Sequence, residues 1–128
     1  MSQAASAGLF IYAKDLERVA ALYQRLLGMQ AIHSSKELVV LNAAALQLVI
    51  HAIPEEIAAS ITIADPPSRR ENTALKFFFT VPSITQLAGL AAALGGEILP
   101  EQWRGAGFVA CNAVDPEGNI FQLRERAA

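Results

Sequence analysis

Few side chains in this chain could do chemistry alone. It has 2 histidines, His33 and His51, and one cysteine, Cys111, alongside 12 carboxylates and 10 lysines and arginines. His51 ends an apolar run, Leu46–His51, and alternation gives it the same face as Gln47 and Val49. His33 precedes Ser34-Ser35-Lys36 and reads as an exposed turn residue. Cys111 lies beside Ala110 and Ala113 and reads as a buried, inert thiol with no assignable histidine partner. Gly105-x-Gly107 lacks the strand–turn–helix setting of a phosphate loop. Arg69-Arg70 with Glu71 reads as a solvated charge cluster. The residues left are amides, cations and aromatics, which suit binding by hydrogen bonds, charge and stacking better than nucleophilic attack. No catalytic residue can be assigned.

Elements must position these groups. Leu9–Ala13 is short, apolar and aromatic, the pattern of a strand. Asp15 then stands as an N-cap before a helix whose stripe is Val19, Leu22, Tyr23, Leu26 and Leu27, with Gly28 as its stop. Met29–His33, Leu38–Asn42 and Leu46–His51 read as three strands. Pro54–Asn72 reads as a connection, with Ile57, Ile61 and Ile63 anchoring it. The pattern then repeats. Leu75–Val81 is a strand, Ser83 and Gln86 have capping-box spacing, and Gly95-Gly96 stops the helix, with Gly96 aligned to Gly28. Glu97–Gln102, Phe108–Val114 and Ile120–Glu125 are strands, and Asp115–Asn119 is a turn.

The expected fold is therefore α+β, a single domain of two tandem βαβββ modules: module 1 at about 8–52, a linker at about 53–72 and module 2 at about 73–126. With 53% apolar and 17% charged residues and a net charge of -2, the chain is equipped neither for disorder nor for nucleic acid. No stretch has the apolar length of a membrane span, and the first residues lack a signal pattern, so a cytoplasmic protein is expected.

The residues Lys14-Asp15-Leu16-Glu17-Arg18, Tyr23 and Leu26-Leu27-Gly28-Met29 resemble the vicinal oxygen chelate superfamily, as do Val114–Asn119 with Phe121-Gln122-Leu123. That superfamily includes glyoxalase I, bleomycin-resistance proteins and extradiol dioxygenases. The resemblance spans nearly the whole chain and implies curved sheets forming a shared cavity, commonly in a homodimer. It implies four metal-ligand positions, which fall here on Gly8, Gln47, Lys76 and Gln122. Glycine offers no donor and lysine brings a repelling cation. No metal or cofactor is expected.

Alternation from these positions turns Gly8, Phe10 and Tyr12, Gln47, Val49 and His51, Lys76, Phe78 and Thr80, and Gln122 and Arg124 toward the cavity, with Trp103 on a bordering loop. Phe10, Tyr12, Gln47, Lys76, Phe78, Trp103, Gln122 and Arg124 are thus the candidate ligand-binding residues. The expected function is a glyoxalase/bleomycin-resistance-like small-molecule-binding protein without the usual metal ligands. Its ligand would be anionic with a flat apolar part, drawn by Lys76. The alternative is a superfamily enzyme (lyase, isomerase or dioxygenase) acting on a small carbonyl or aromatic substrate, with a metal held in an altered way or with Lys76 or His51 as acid–base group. Elemental analysis of protein purified without chelator is expected to find well under one equivalent of zinc, nickel, iron or manganese per chain; a full equivalent would revive the metalloenzyme.

Overall fold

The computed structural model describes residues 5–43 and 46–127. The chain divides into two compact units between Thr62 and Ile63.

Unit 1 consists of β1 (Ala7–Ala13), α1 (Leu16–Leu27), β2 (Gln30–Ser34), β3 (Leu38–Ala43) and β4 (Leu46–Ala52). They form one four-stranded sheet in the order β1-β4-β3-β2. β1 runs parallel to β4, and the other pairs are antiparallel. The Asp15 carboxylate accepts from the Arg18 N–H at 3.2 Å, which satisfies a donor at the start of α1. At the far end Gly28 takes φ 64°, and the Met29 N–H donates to the Gln24 carbonyl at 3.1 Å, closing the helix. α1 buries Leu16, Val19, Ala20, Leu22, Tyr23 and Leu26. One sheet face meets it with Ile11, Ala13, Val39, Leu41, Leu48 and Ile50, all buried. Each buried Val, Leu or Ile of this set contributes about 1.5–3 kcal/mol by leaving water.

β2 takes in His33, which pairs with Val40 across a bulge after Ala31. His33 is thus an exposed strand residue, within the expected Met29–His33 strand, and β2 runs one residue past it to Ser34. The turn proper is closed downstream by the Ser35 N–H on the Leu38 carbonyl at 2.9 Å. After β4 comes one helical turn, α2 (Glu55–Ala58). Here Ala58 is buried while Ile57 is exposed, so Ile57 does not anchor the segment. Lys14 ties it down instead, its ammonium donating to the Ile61 carbonyl.

Unit 2 repeats the order with β5 (Phe78–Thr80), a 3₁₀ turn (Thr85–Leu87), α3 (Ala88–Ala93), β6 (Glu97–Gly105), β7 (Phe108–Val114) and β8 (Ile120–Arg126). Its sheet order is β5-β8-β7-β6, with β5 parallel to β8, the same topology as unit 1. The protein is thus an α+β fold of two tandem βαβββ units with open sheets.

Three expectations change here. β5 is three residues long, although Leu75–Val81 has strand composition throughout. As an edge strand it pairs only with β8, and Leu75, 80% exposed, finds nothing to pack on. Second, Ser83 and Gln86 form no capping box. The Ser83 hydroxyl pairs with that of Thr85 at 3.2 Å, and the Glu125 carboxylate, reaching from β8, accepts from the Ile84 N–H at 2.8 Å. Third, the left-handed residue ending α3 is Gly95, φ 86°, while the Gly96 N–H donates to the Ala91 carbonyl at 2.8 Å. Gly28 therefore corresponds to Gly95 and not to Gly96.

The turn into β8 is built on Asp115, which is fully buried. Its carboxylate accepts from the Glu117 N–H at 2.8 Å, the Asn119 N–H at 3.0 Å and the Asn119 side-chain amide at 2.8 Å. Gly118 stands at φ 91°, and a Cβ there would run into the Ser68 carbonyl. The chain around Ser68–Arg70 is strapped across this turn: the Arg70 N–H donates to the Gly118 carbonyl at 2.9 Å and its Nε to the Glu117 carbonyl at 3.1 Å. Arg70 is thus structural, whereas Arg69 makes only an exposed ion pair with Glu97 at 3.2 Å. Asp115→Ala would leave three donors without their acceptor. It is expected to lower the unfolding free energy by about 2–4 kcal/mol, read from urea denaturation at unchanged m-value.

Candidate functional site

With one face of each sheet packed on its helix, the polar and aromatic residues lie on the other. In unit 1 the strand register lays out three rows. Gly8, Gln47, Asn42 and Gln30 form one, Phe10, Val49, Val40 and His33 the next, and Tyr12, His51 and Leu38 the third. Phe10 and Tyr12 are 57% and 59% exposed, with ring centroids 6.2 Å apart. Gln47 donates from Nε2 to Asn42 Oδ1 at 3.2 Å. The His51 ring lies 5.6 Å from that of Tyr12. Its Nδ1 is 2.8 Å from the Ala52 carbonyl, so an Nδ1–H donates to that oxygen and fixes the ring.

Unit 2 has matching rows. Phe78, Gln122 and Asn112 are in register, followed by Thr80, Arg124, Ala110 and Trp103. The Arg124 guanidinium is clamped between two rings, with its carbon 3.7 Å from the centroid of Phe78 and 4.0 Å from that of Phe108. This is a cation–π arrangement with two rings. Arg124 Nε donates to Gln122 Oε1 at 2.6 Å. Lys76 Nζ donates to Asn112 Oδ1 at 3.2 Å and lies 5.8 Å from the Trp103 ring centroid.

The residue across from Gln122 is therefore Phe78, while Lys76 precedes the paired strand and is exposed. Trp103 stands on β6 and not on a loop, because the β6–β7 connection is only Ala106-Gly107. Gly107 supplies the positive φ, 79°, that so short a turn needs. Unit 1 brings together Phe10, Tyr12, Gln47 and His51; unit 2 brings together Lys76, Phe78, Trp103, Gln122 and Arg124. Asn42, Asn112 and Phe108 belong with them and were missed. A signal for the asparagines existed: the dipeptide Asn-Ala recurs at Asn42-Ala43 and Asn112-Ala113, at the same place in each repeat.

On the helix side of unit 2 a cavity of about 230 Å³ is lined by Ile84, Thr85, Gln102, Trp103, Arg104, Val109 and Glu125. Among the described residues no three of His, Cys, Asp and Glu gather as a metal site.

The chain matches the sequence profile of the glyoxalase-like domain over residues 8–124. It belongs to the glyoxalase-like domain family. The fold is shared by solved structures of the wider vicinal oxygen chelate group. A glyoxalase/bleomycin resistance protein/dioxygenase family enzyme from Burkholderia phytofirmans aligns at TM-score 0.70 and 18% identity, over 97% of this chain and 100% of the other. A genomically encoded fosfomycin resistance protein from Listeria monocytogenes aligns at TM-score 0.66 and 21% identity, over 99% and 96%. A lactoylglutathione lyase from Agrobacterium tumefaciens aligns at TM-score 0.58 and 20% identity, over 98% and 96%. No curated protein matches the chain in sequence. Among its described residues this glyoxalase-like domain has no helix long and apolar enough to cross a membrane.

Cys111 is fully buried, and loss of hydration pushes its thiol pKa up. A raised pKa leaves less thiolate at any given pH, and burial blocks the reagent. Native protein at pH 8 is therefore expected to resist a thiol reagent such as DTNB, and to react with one equivalent after denaturation.

Proposed function

We propose that this glyoxalase-like domain is a cytoplasmic small-molecule-binding protein that works without the metal of its superfamily. The observation that carries this reading is the content of the open faces. On the open face of unit 1 exposed Phe10 and Tyr12 lie with the amides of Gln47 and Asn42, and on that of unit 2 exposed Phe78 and Trp103 lie with Lys76, Asn112, Gln122 and Arg124; each set has the make-up of a surface that binds a flat molecule bearing oxygen atoms. The residues do not suit a divalent ion. Gly8 has no donor, Phe78 occupies the place across from Gln122, and the Gln122 amide oxygen is already taken by Arg124. Gln47, a neutral amide, is a weak ligand by itself. The exposed apolar residues, including Ile32 and Leu75, support a homodimer.

A second reading, an enzyme acting on a small carbonyl or aromatic substrate, is favoured by His51. With Nδ1 held by the Ala52 carbonyl and its ring 5.6 Å from that of Tyr12, His51 is an imidazole of the kind that serves as a general base. The names borne by the structural relatives, a lyase and a resistance protein among them, support keeping both.

Ligand-observed NMR with a set of aromatic acids, amides and alcohols is the test. Binding is expected to survive dialysis against EDTA, and Phe78→Ala is expected to weaken it about tenfold or more, the scale of a lost aromatic contact plus buried area. Binding that appears only with added metal would overturn the reading. Turnover abolished by His51→Ala would establish the enzyme. Sedimentation velocity at micromolar concentration is expected to give the mass of two chains.

A further inference from the structure

The two units share an Asn–Gln pair facing each other across their last two strands, Asn42 with Gln47 and Asn112 with Gln122. In unit 1 the two amides bond each other. In unit 2 they do not; each amide oxygen accepts from a different cation, Asn112 Oδ1 from Lys76 and Gln122 Oε1 from Arg124. Ammonium and guanidinium groups only donate, so the orientation of both amides is decided by chemistry: the oxygens face the cations and the NH₂ groups face away. Among the described residues neither NH₂ group meets an acceptor, and no carboxylate pairs with Lys76 or Arg124. Arg124 uses Nε on Gln122, its guanidinium lies against the rings of Phe78 and Phe108, and among the described residues its two Nη nitrogens have no acceptor. The patch therefore holds two positive charges and several outward donors, while its amide oxygens are occupied.

We propose that Arg124, Gln122 and Asn112 form a carboxylate-binding cradle on the open face of unit 2, taking the planar anion of an aromatic or similarly flat acid. This rests on reading that face as a small-molecule site and specifies its ligand class. The guanidinium, held edge-on by its flanking rings, offers two parallel N–H groups that match the two carboxylate oxygens. The Gln122 and Asn112 NH₂ groups supply further donors. The exposed Phe78 and Trp103 receive the apolar part. Lys76 is a positioning residue: by holding Asn112 Oδ1 it turns the Asn112 NH₂ outward. This differs from a direct grip by Lys76 on the ligand.

The experiment is a titration of the full ¹⁵N-labelled chain with sodium benzoate and with benzamide, its neutral isostere, followed by NMR. Benzoate is expected to move the Arg124 Nε–H and the Gln122 and Asn112 side-chain NH₂ signals in a saturable way, and benzamide to bind at least about tenfold more weakly. Arg124→Lys keeps the charge but loses the fork, and should weaken benzoate about 10- to 100-fold. Lys76→Met should weaken it less than Arg124→Lys does, while moving the Asn112 NH₂ signals of the free protein. Circular dichroism of each variant checks the fold. Benzamide binding as tightly as benzoate would overturn the cradle and leave the small-molecule reading intact. A larger loss for Lys76→Met than for Arg124→Lys would also overturn it, returning the anion to Lys76. If neither compound moves any signal of the open faces, both readings fall.

Discussion

The parallel pairing of the first strand of each unit with its last is the constraint on which the rest depends. Two parallel strands cannot be joined by a tight turn; the chain has to cross over between them, and α1 or α3 accompanies that crossing on one sheet face. Once a helix covers one face, alternation leaves every second residue of each strand on the other. Gln47 then lies across from Gly8, and Gln122 across from Phe78. The apolar face drives folding; the open face is free to carry polar residues because folding does not need it.

The two ladders are held by different means. β1 pairs with β4 over its full seven residues, whereas β5 pairs with β8 over three. The shorter ladder is reinforced from its ends. Upstream, Asp115 closes the turn into β8, and Arg70 locks that turn from outside. Downstream, Glu125 leaves the sheet face to bond the Ile84 N–H where the chain turns toward α3. Charged side chains here do the work that additional strand pairing does in unit 1. Asp115 is the more consequential of the two carboxylates because it is wholly buried.

Amide chemistry explains how one residue pair can serve two ends. An amide is both donor and acceptor, and its neighbours decide which side is offered. Asn42 and Gln47 are joined by one hydrogen bond and present a neutral surface beside His51 and two exposed rings. Asn112 and Gln122 give their oxygens to cations and present N–H groups beside Phe78 and Trp103. A metal asks for oxygen lone pairs and an anion asks for N–H donors; in the second unit the cations at positions 76 and 124 occupy the oxygens of both amides.

Much of the fold was legible because its signals are local. Asp15 and Gly28 mark the ends of α1, apolar stripes mark the helix faces, and Asp115–Asn119 can hardly be anything but a turn. Alternation likewise told which residues of β1, β4 and β8 share a face. Contacts between residues distant in the chain were not legible. Strand composition in Leu75–Val81 could not tell that the paired strand would be only Phe78–Thr80, and cap spacing at Ser83 could not foresee a carboxylate arriving from β8. The same holds at the site. Arg124 and Phe78 were nameable as candidates, but the enclosure of the guanidinium by Phe78 and Phe108 joins three strands, and the orientation of Asn112 and Gln122 depends on which cation lies beside each oxygen. Sequence alone determined which side chains point the same way, because a strand alternates by its own geometry. Only the tertiary structure decided which of them touch, because strand register and hydrogen-bond direction are set by partners far away in the chain.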